Sequence, residues 1–135
     1  MVLGASLGRS LPDNSIVCFF GELGAGKTTF IKGLASGVAS ISADKINSPT
    51  FVYLNIYTGN RTVYHFDLYR LRDADDFMER GFDEYLHAGG ICCIEWSERI
   101  LPLLTDNIVT VRMAHISPTE REIEILWEKD GSIRI

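Results

Sequence analysis

Eight consecutive residues, Gly21-Glu22-Leu23-Gly24-Ala25-Gly26-Lys27-Thr28, place glycines, one lysine and one hydroxyl in the spacing G-x-x-x-x-G-K-[ST]. That pattern suits the cradling of a polyphosphate. A glycine-rich turn can aim its backbone N–H groups at anionic oxygens, and a helix starting at its end adds a positive dipole terminus. Lys27 would supply a fixed charge for β- and γ-phosphates, and Thr28 a hydroxyl for Mg²⁺. Gly24 and Gly26 permit close backbone approach, and a Cβ on Gly26 would collide with phosphate oxygens. Thr29 adds a hydroxyl within reach of an α-phosphate.

Mg²⁺ bound beside phosphates also calls for a carboxylate, commonly at the end of a neighbouring apolar strand. Two segments offer one: Val63-Tyr64-His65-Phe66-Asp67 and Ile91-Cys92-Cys93-Ile94-Glu95. Glu95 is the favoured metal ligand, with Asp67 a second carboxylate that orients the metal shell or an attacking water. On sequence grounds the two roles are exchangeable. His65, two residues before Asp67 on the same strand face, reads first as a hydrogen-bonded core histidine and second as a group that positions Asp67. Trp96 is divided between simple packing and capping a pocket or meeting a partner. Ser48-Pro49-Thr50 is a rigid turn, either without function or presenting hydroxyls to a γ-phosphate.

These groups need an α/β frame. The apolar run 15–20 forms a strand that delivers the glycine-rich turn, and residues 27–38 form a helix with a stripe of Phe30, Ile31, Leu34, Ala35 and Val38. Gly37 and the polar segment to Ser48 are expected to end that helix. Val2, Leu3, Leu7 and Leu11 give the start of the chain a helical pattern, which Pro12-Asp13-Asn14 breaks. Strands over 51–57 and 61–67, joined by Thr58-Gly59-Asn60, read as a hairpin, so the sheet is mixed. Short helices are expected over 73–80, capped by Asp73 and broken at Gly81, and over 82–87. After the strand 91–95 and a helix or turn over 97–104, strands 107–114 and 121–128 close the sheet as a second hairpin.

Length and composition bound the possibilities. With 135 residues and 46% apolar side chains, the chain is sized for one core rather than two. No apolar run approaches the roughly 20 residues of a membrane span, and no signal-peptide pattern opens the chain, so a cytoplasmic location is expected. Cys18, Cys92 and Cys93 lie in apolar runs and read as buried free thiols. Adjacent Cys92 and Cys93 would face opposite sides of a strand, which argues against a shared metal site. A formal charge of −5, from 18 acidic and 13 basic side chains, opposes an autonomous nucleic-acid binder. Any contact with RNA is expected to run through a partner.

Four blocks, G-E-L-G-A-G-K-T-T-F at 21–30, S-P-T-F at 48–51, Y-H-F-D-L-Y-R-L at 64–71 and I-E-W at 94–96, together resemble the bacterial TsaE family, also called YjeE. The resemblance covers the chain from about Leu3 to Ile125. It implies an atypical P-loop fold, a single mixed sheet flanked by helices. It implies an ATPase that acts with TsaB and TsaD, at TsaD, in moving a threonylcarbamoyl group from an adenylate to the adenosine 3′ of the anticodon in tRNAs reading ANN codons. TsaD performs the transfer. Carried over by motif, Leu23, Gly24, Ala25, Gly26, Lys27 and Thr28 would bind ATP, Thr28 and Glu95 would hold Mg²⁺, and Asp67 would serve hydrolysis.

The chain departs from the family pattern in two places. Family members usually begin with a further segment containing a threonine that contacts the base, which this chain is expected to lack. Glu120 stands where a small residue usually precedes the arginine matching Arg121, which puts a nucleotide contact there in doubt. Two other readings share the phosphate cradle: a P-loop small-molecule kinase, for which neither an arginine-rich lid nor a second substrate pocket is evident, and a non-catalytic nucleotide-gated adaptor. Slow turnover is expected of the chain alone, with Arg70 or a partner's arginine as the candidate finger.

Overall fold

Every residue from Ile16 to Phe20 is buried, which requires the strand to be covered on both faces. A computed structural model, describing residues 2–21, 27–39, 53–104 and 108–128, shows how. The strands are β1 (Ile16–Gly21), β2 (Leu54–Tyr57), β3 (Val63–Asp67), β4 (Ile91–Glu95), β5 (Ile108–His115) and β6 (Arg121–Glu128). They form one sheet in the order β2-β3-β4-β1-β5-β6. The inner four run parallel, and each edge strand pairs antiparallel with its neighbour. Both expected hairpins are present and make the sheet mixed. Among the described residues no helix is long and apolar enough to cross a membrane.

Helices α1 (Val2–Ser10) and α2 (Lys27–Ala39) cover one face. Phe30, Ile31, Leu34, Ala35 and Val38 of α2 pack there on Val17, Phe19, Val63, Ile91, Cys93, Val109 and Val111. The other face carries α3 (Ala74–Glu79) and two 3₁₀ helices, Phe82–His87 and Ser97–Leu103. Asp73 caps α3, its side chain accepting from the Asp76 amide at 2.9 Å. Gly81 takes the left-handed conformation (φ 76°) that separates α3 from the next helix. Phe66, Phe77 and Phe82 then meet with ring centroids 5.3–5.7 Å apart, a spacing favourable for tilted aromatic pairs.

Gly37 does not stop α2. The helix continues to Ala39, and Gly37 lies where α1 crosses it, so close that an added Cβ would strike the Ala5 carbonyl oxygen. Gly8 of α1 approaches the Leu34 carbonyl in the same way. Periodicity alone put Leu3 with the apolar residues of α1, yet it is 49% exposed, while Leu7 and Leu11 are buried. Backbone proximity therefore replaces side-chain interdigitation over part of this seam. Gly8→Ala is expected to force the helices apart and cost about 1–3 kcal/mol, read as a lower urea midpoint with an unchanged slope.

The adjacent cysteines part as alternation requires: Cys93 joins the α2 side of the core, and Cys92 joins Cys18 on the other. Burial pushes the Cys18 and Cys92 thiols up to about 12, and Cys93 well above its ordinary value. All three should resist a neutral-pH thiol reagent in the folded protein and react at once in denaturant. Labelling of any one under native conditions would contradict the packing.

Candidate functional site

The central strand β1 has β4 on one side and β5 on the other, so the chain turns to opposite sides of the sheet at its carboxyl end. Open parallel sheets leave a crevice at such a point. β1 ends at Gly21, and α2 begins at Lys27 with its amino terminus beside that crevice. The expected phosphate-binding residues Leu23, Gly24, Ala25 and Gly26, and the turn Ser48-Pro49-Thr50, lie outside the described residues, as do the side chains of Thr28 and Arg121. Thr29 is exposed in the first turn of α2, and Lys27 is half-buried.

Parallel pairing brings the two carboxylates together. In register, Asp67 of β3 lies opposite Glu95 of β4, and Glu95 lies opposite Phe19 of β1. Alternation places Val63, His65 and Asp67 on one face, together with Ile91, Cys93 and Glu95. Val63, Ile91 and Cys93 pack in the core cluster of α2, so both acids leave the sheet on the side of the Lys27 helix. The backbone ties them further: the Asp67 amide donates to the Tyr53 carbonyl at 2.9 Å, and the Leu68 amide to the Glu95 carbonyl at 3.1 Å.

Each carboxylate has one oxygen engaged locally. Asp67 Oδ1 accepts the Tyr69 amide at 3.1 Å, an Asx-type turn that carries the chain off β3. Glu95 Oε2 lies 3.0 Å from His65 Nε2, with the histidine 1% and the glutamate 8% exposed. Asp67 Oδ2 and Glu95 Oε1 have no hydrogen-bond partner among the described residues. His65 is thus the buried, hydrogen-bonded histidine expected first, but its partner is Glu95 rather than Asp67. Alternation along one strand suggested Asp67; the bond instead crosses to the neighbouring strand, which sequence spacing does not reveal.

Trp96 follows Glu95 in a left-handed conformation (φ 63°) that swings its ring to the surface, where it is 38% exposed. Its ring packs on Tyr69, centroids 5.0 Å apart. The Arg99 guanidinium lies 5.8 Å from the Trp96 ring and donates to the Tyr69 carbonyl at 3.2 Å. Trp96 therefore packs, but on an exposed ledge beside the two acids. Tyr69 and Arg99 were missed in the sequence; the Tyr-Arg pair after Asp67 was the available signal for the first. Arg70 is exposed next to Tyr69.

Burial pushes the Asp67 carboxyl above its ordinary range, and the Glu95 carboxylate adds to the shift. The Tyr69 amide, His65 and Lys27 oppose it without cancelling it. Raised in the folded state, this acid costs the fold nothing below its ordinary value of 3.8 and weighs against it as pH rises through the folded pKa. Asp67→Asn is accordingly expected to raise the melting temperature of the nucleotide-free protein at pH 7 and to leave it unchanged near pH 3. A lower melting temperature at pH 7 would contradict the assignment.

The parallel inner strands, the helices on both faces and the glycine-rich segment between β1 and α2 define an α/β protein of the P-loop type. The structure is similar to the crystal structure of Bacillus subtilis YdiB, with a TM-score of 0.69 and 30% identity over 90% of this chain and 73% of that one. The family model described as threonylcarbamoyl adenosine biosynthesis protein TsaE matches residues 1–123. Two proteins named tRNA threonylcarbamoyladenosine biosynthesis protein TsaE are similar along most of their lengths. That of Treponema pallidum is 41% identical over 122 residues, covering 90% of this chain and 89% of its own. That of Rickettsia felis is 40% identical over 131 residues, covering 96% and 75%. The chain belongs to the TsaE family.

Proposed function

We propose that this chain serves tRNA threonylcarbamoyladenosine biosynthesis as a Mg²⁺-dependent ATPase acting with TsaB and TsaD. The observation that carries the reading is the pairing of Asp67 with Glu95 at the carboxyl ends of adjacent strands, facing the start of the Lys27 helix. Family membership supplies the pathway. The acidic net charge of the chain agrees with a tRNA-binding surface that belongs mainly to the partners.

The residues present fit a magnesium ion. Two neighbouring carboxylates each keep one oxygen without a partner among the described residues, and Asp67 is held in a setting that penalises its charge. Mg²⁺ retains waters and takes one or two carboxylates alongside phosphate oxygens. Thr28 and Glu95 would hold the ion, whose chemistry is to neutralise charge on the β- and γ-phosphates. Lys27 and the amino terminus of α2 would bind the phosphates. Asp67, anchored through Oδ1, uses Oδ2 to orient the attacking water and accept its proton. A cytoplasmic site of action follows from this role.

Hydrolysis by the chain alone is slow in this reading, with Arg70 or a partner's arginine completing the site. An arginine supplied by a partner raises turnover about 10³–10⁵-fold in other P-loop enzymes. Phosphate release should therefore rise strongly when TsaB and TsaD are added, and equal rates would refute partner activation. Lys27→Ala and Glu95→Ala should each lower turnover by about 10²-fold or more, and Asp67→Ala by about 10²–10⁴-fold. If Lys27→Ala still supports tRNA modification and the complete system releases no phosphate above background, the ATPase reading fails. Nucleotide-dependent assembly without hydrolysis would favour the gated adaptor.

A further inference from the structure

Resting on the metal role proposed for Glu95, we infer that His65 is a positioning residue: its Nε2–H fixes Glu95 Oε2 and thereby reserves Oε1 for the Mg²⁺ shell. His65 lies on β3 between Asn55 of β2 and Cys93 of β4 and is 1% exposed. A carboxylate oxygen can only accept, so in the 3.0 Å contact Nε2 carries a proton and donates. Among the described residues the other ring nitrogen, Nδ1, has no hydrogen-bond partner.

Among the described residues the side-chain hydrogen bond of His65 goes to Glu95, across two neighbouring strands of the sheet. The bond also settles which oxygen of Glu95 is available. A glutamate side chain rotates about three bonds, and without an anchor its two oxygens exchange freely. Anchoring Oε2 leaves Oε1 as the oxygen without a hydrogen-bond partner among the described residues, on the residue that pairs with Asp67 in the register. Hydrogen bonds of this kind to a ligand carboxylate are commonly worth about 10–100-fold in metal affinity.

The test measures Mn²⁺ binding to the protein–ADP complex by electron paramagnetic resonance, with ADP affinity in EDTA measured alongside. His65→Leu should weaken Mn²⁺ binding about 10-fold or more while leaving EDTA-measured ADP affinity within twofold. His65→Gln, whose amide can reach the position of Nε2, should restore most of the loss. His65→Asn, whose shorter amide reaches only the position of Nδ1, should not; this pair keeps the test valid if the leucine variant does not fold. Unchanged Mn²⁺ affinity in His65→Leu or His65→Asn, or equal behaviour of Asn and Gln, overturns the inference. Glu95→Gln distinguishes the underlying reading. If it weakens Mn²⁺ binding while the histidine variants do not, only the role of His65 is lost. If Glu95→Gln has no effect, the metal role of Glu95 falls and the inference falls with it.

Discussion

The parallel register of β3, β4 and β1 is the constraint on which the rest of the molecule depends. Pairing Asp67 with Glu95, and Glu95 with Phe19, brings two carboxylates to the same height beside the strand that leads into the Lys27 helix. A shift of one residue in either pairing would turn one acid to the opposite face, among Phe66, Phe77 and Ile94. Burying a carboxylate among those apolar side chains without a partner opposes that slip. The cost of burying an unpaired charge thus helps to hold the register that brings the two acids together.

Keeping those charges beside α2 makes a second demand. The helix must be held firmly on the sheet although its amino terminus faces a polar crevice. Contact with α1 supplies this, and the contact is unusually intimate, since Gly8 and Gly37 let backbone approach backbone. A glycine inside a helix ordinarily costs about 1 kcal/mol relative to alanine. Here the cost is offset by the closeness it permits. The same residue thus looks like a helix breaker in the sequence and a packing site in the structure.

Much of the architecture is legible in the residues because the signals are local. The apolar runs 16–20 and 91–95, the Asp73 cap, the left-handed Gly81 and the stripe of α2 each depend on neighbours in the chain. Two hairpins could be read for the same reason, although β2 begins at Leu54 and β3 at Val63, inside the spans expected for them. What the sequence hid was lateral. Gly37 appears as a terminator until α1 is placed across it, and the partner of a hydrogen-bonded His65 is hidden until β4 is set beside β3. The candidate acids were recognisable from their strand-end positions, whereas the ledge of Tyr69, Trp96 and Arg99 depends on a left-handed turn at a tryptophan, which no residue preference announces.

The two acids are also anchored differently, and the difference bears on their roles. Asp67 Oδ1 is held by the amide of Tyr69, two residues along the same chain, so its orientation belongs to the turn that leaves β3. Glu95 Oε2 is held by a buried side chain from another strand, so its orientation belongs to the sheet. A group that must meet a metal ion benefits from the stiffer support, because coordination tolerates little displacement. A group that must orient a water and take its proton can sit on the more adaptable turn. The sequence favoured Glu95 as the ligand but left the roles exchangeable; under the function we propose, the two supports are consistent with Glu95 as the ligand and Asp67 as the base.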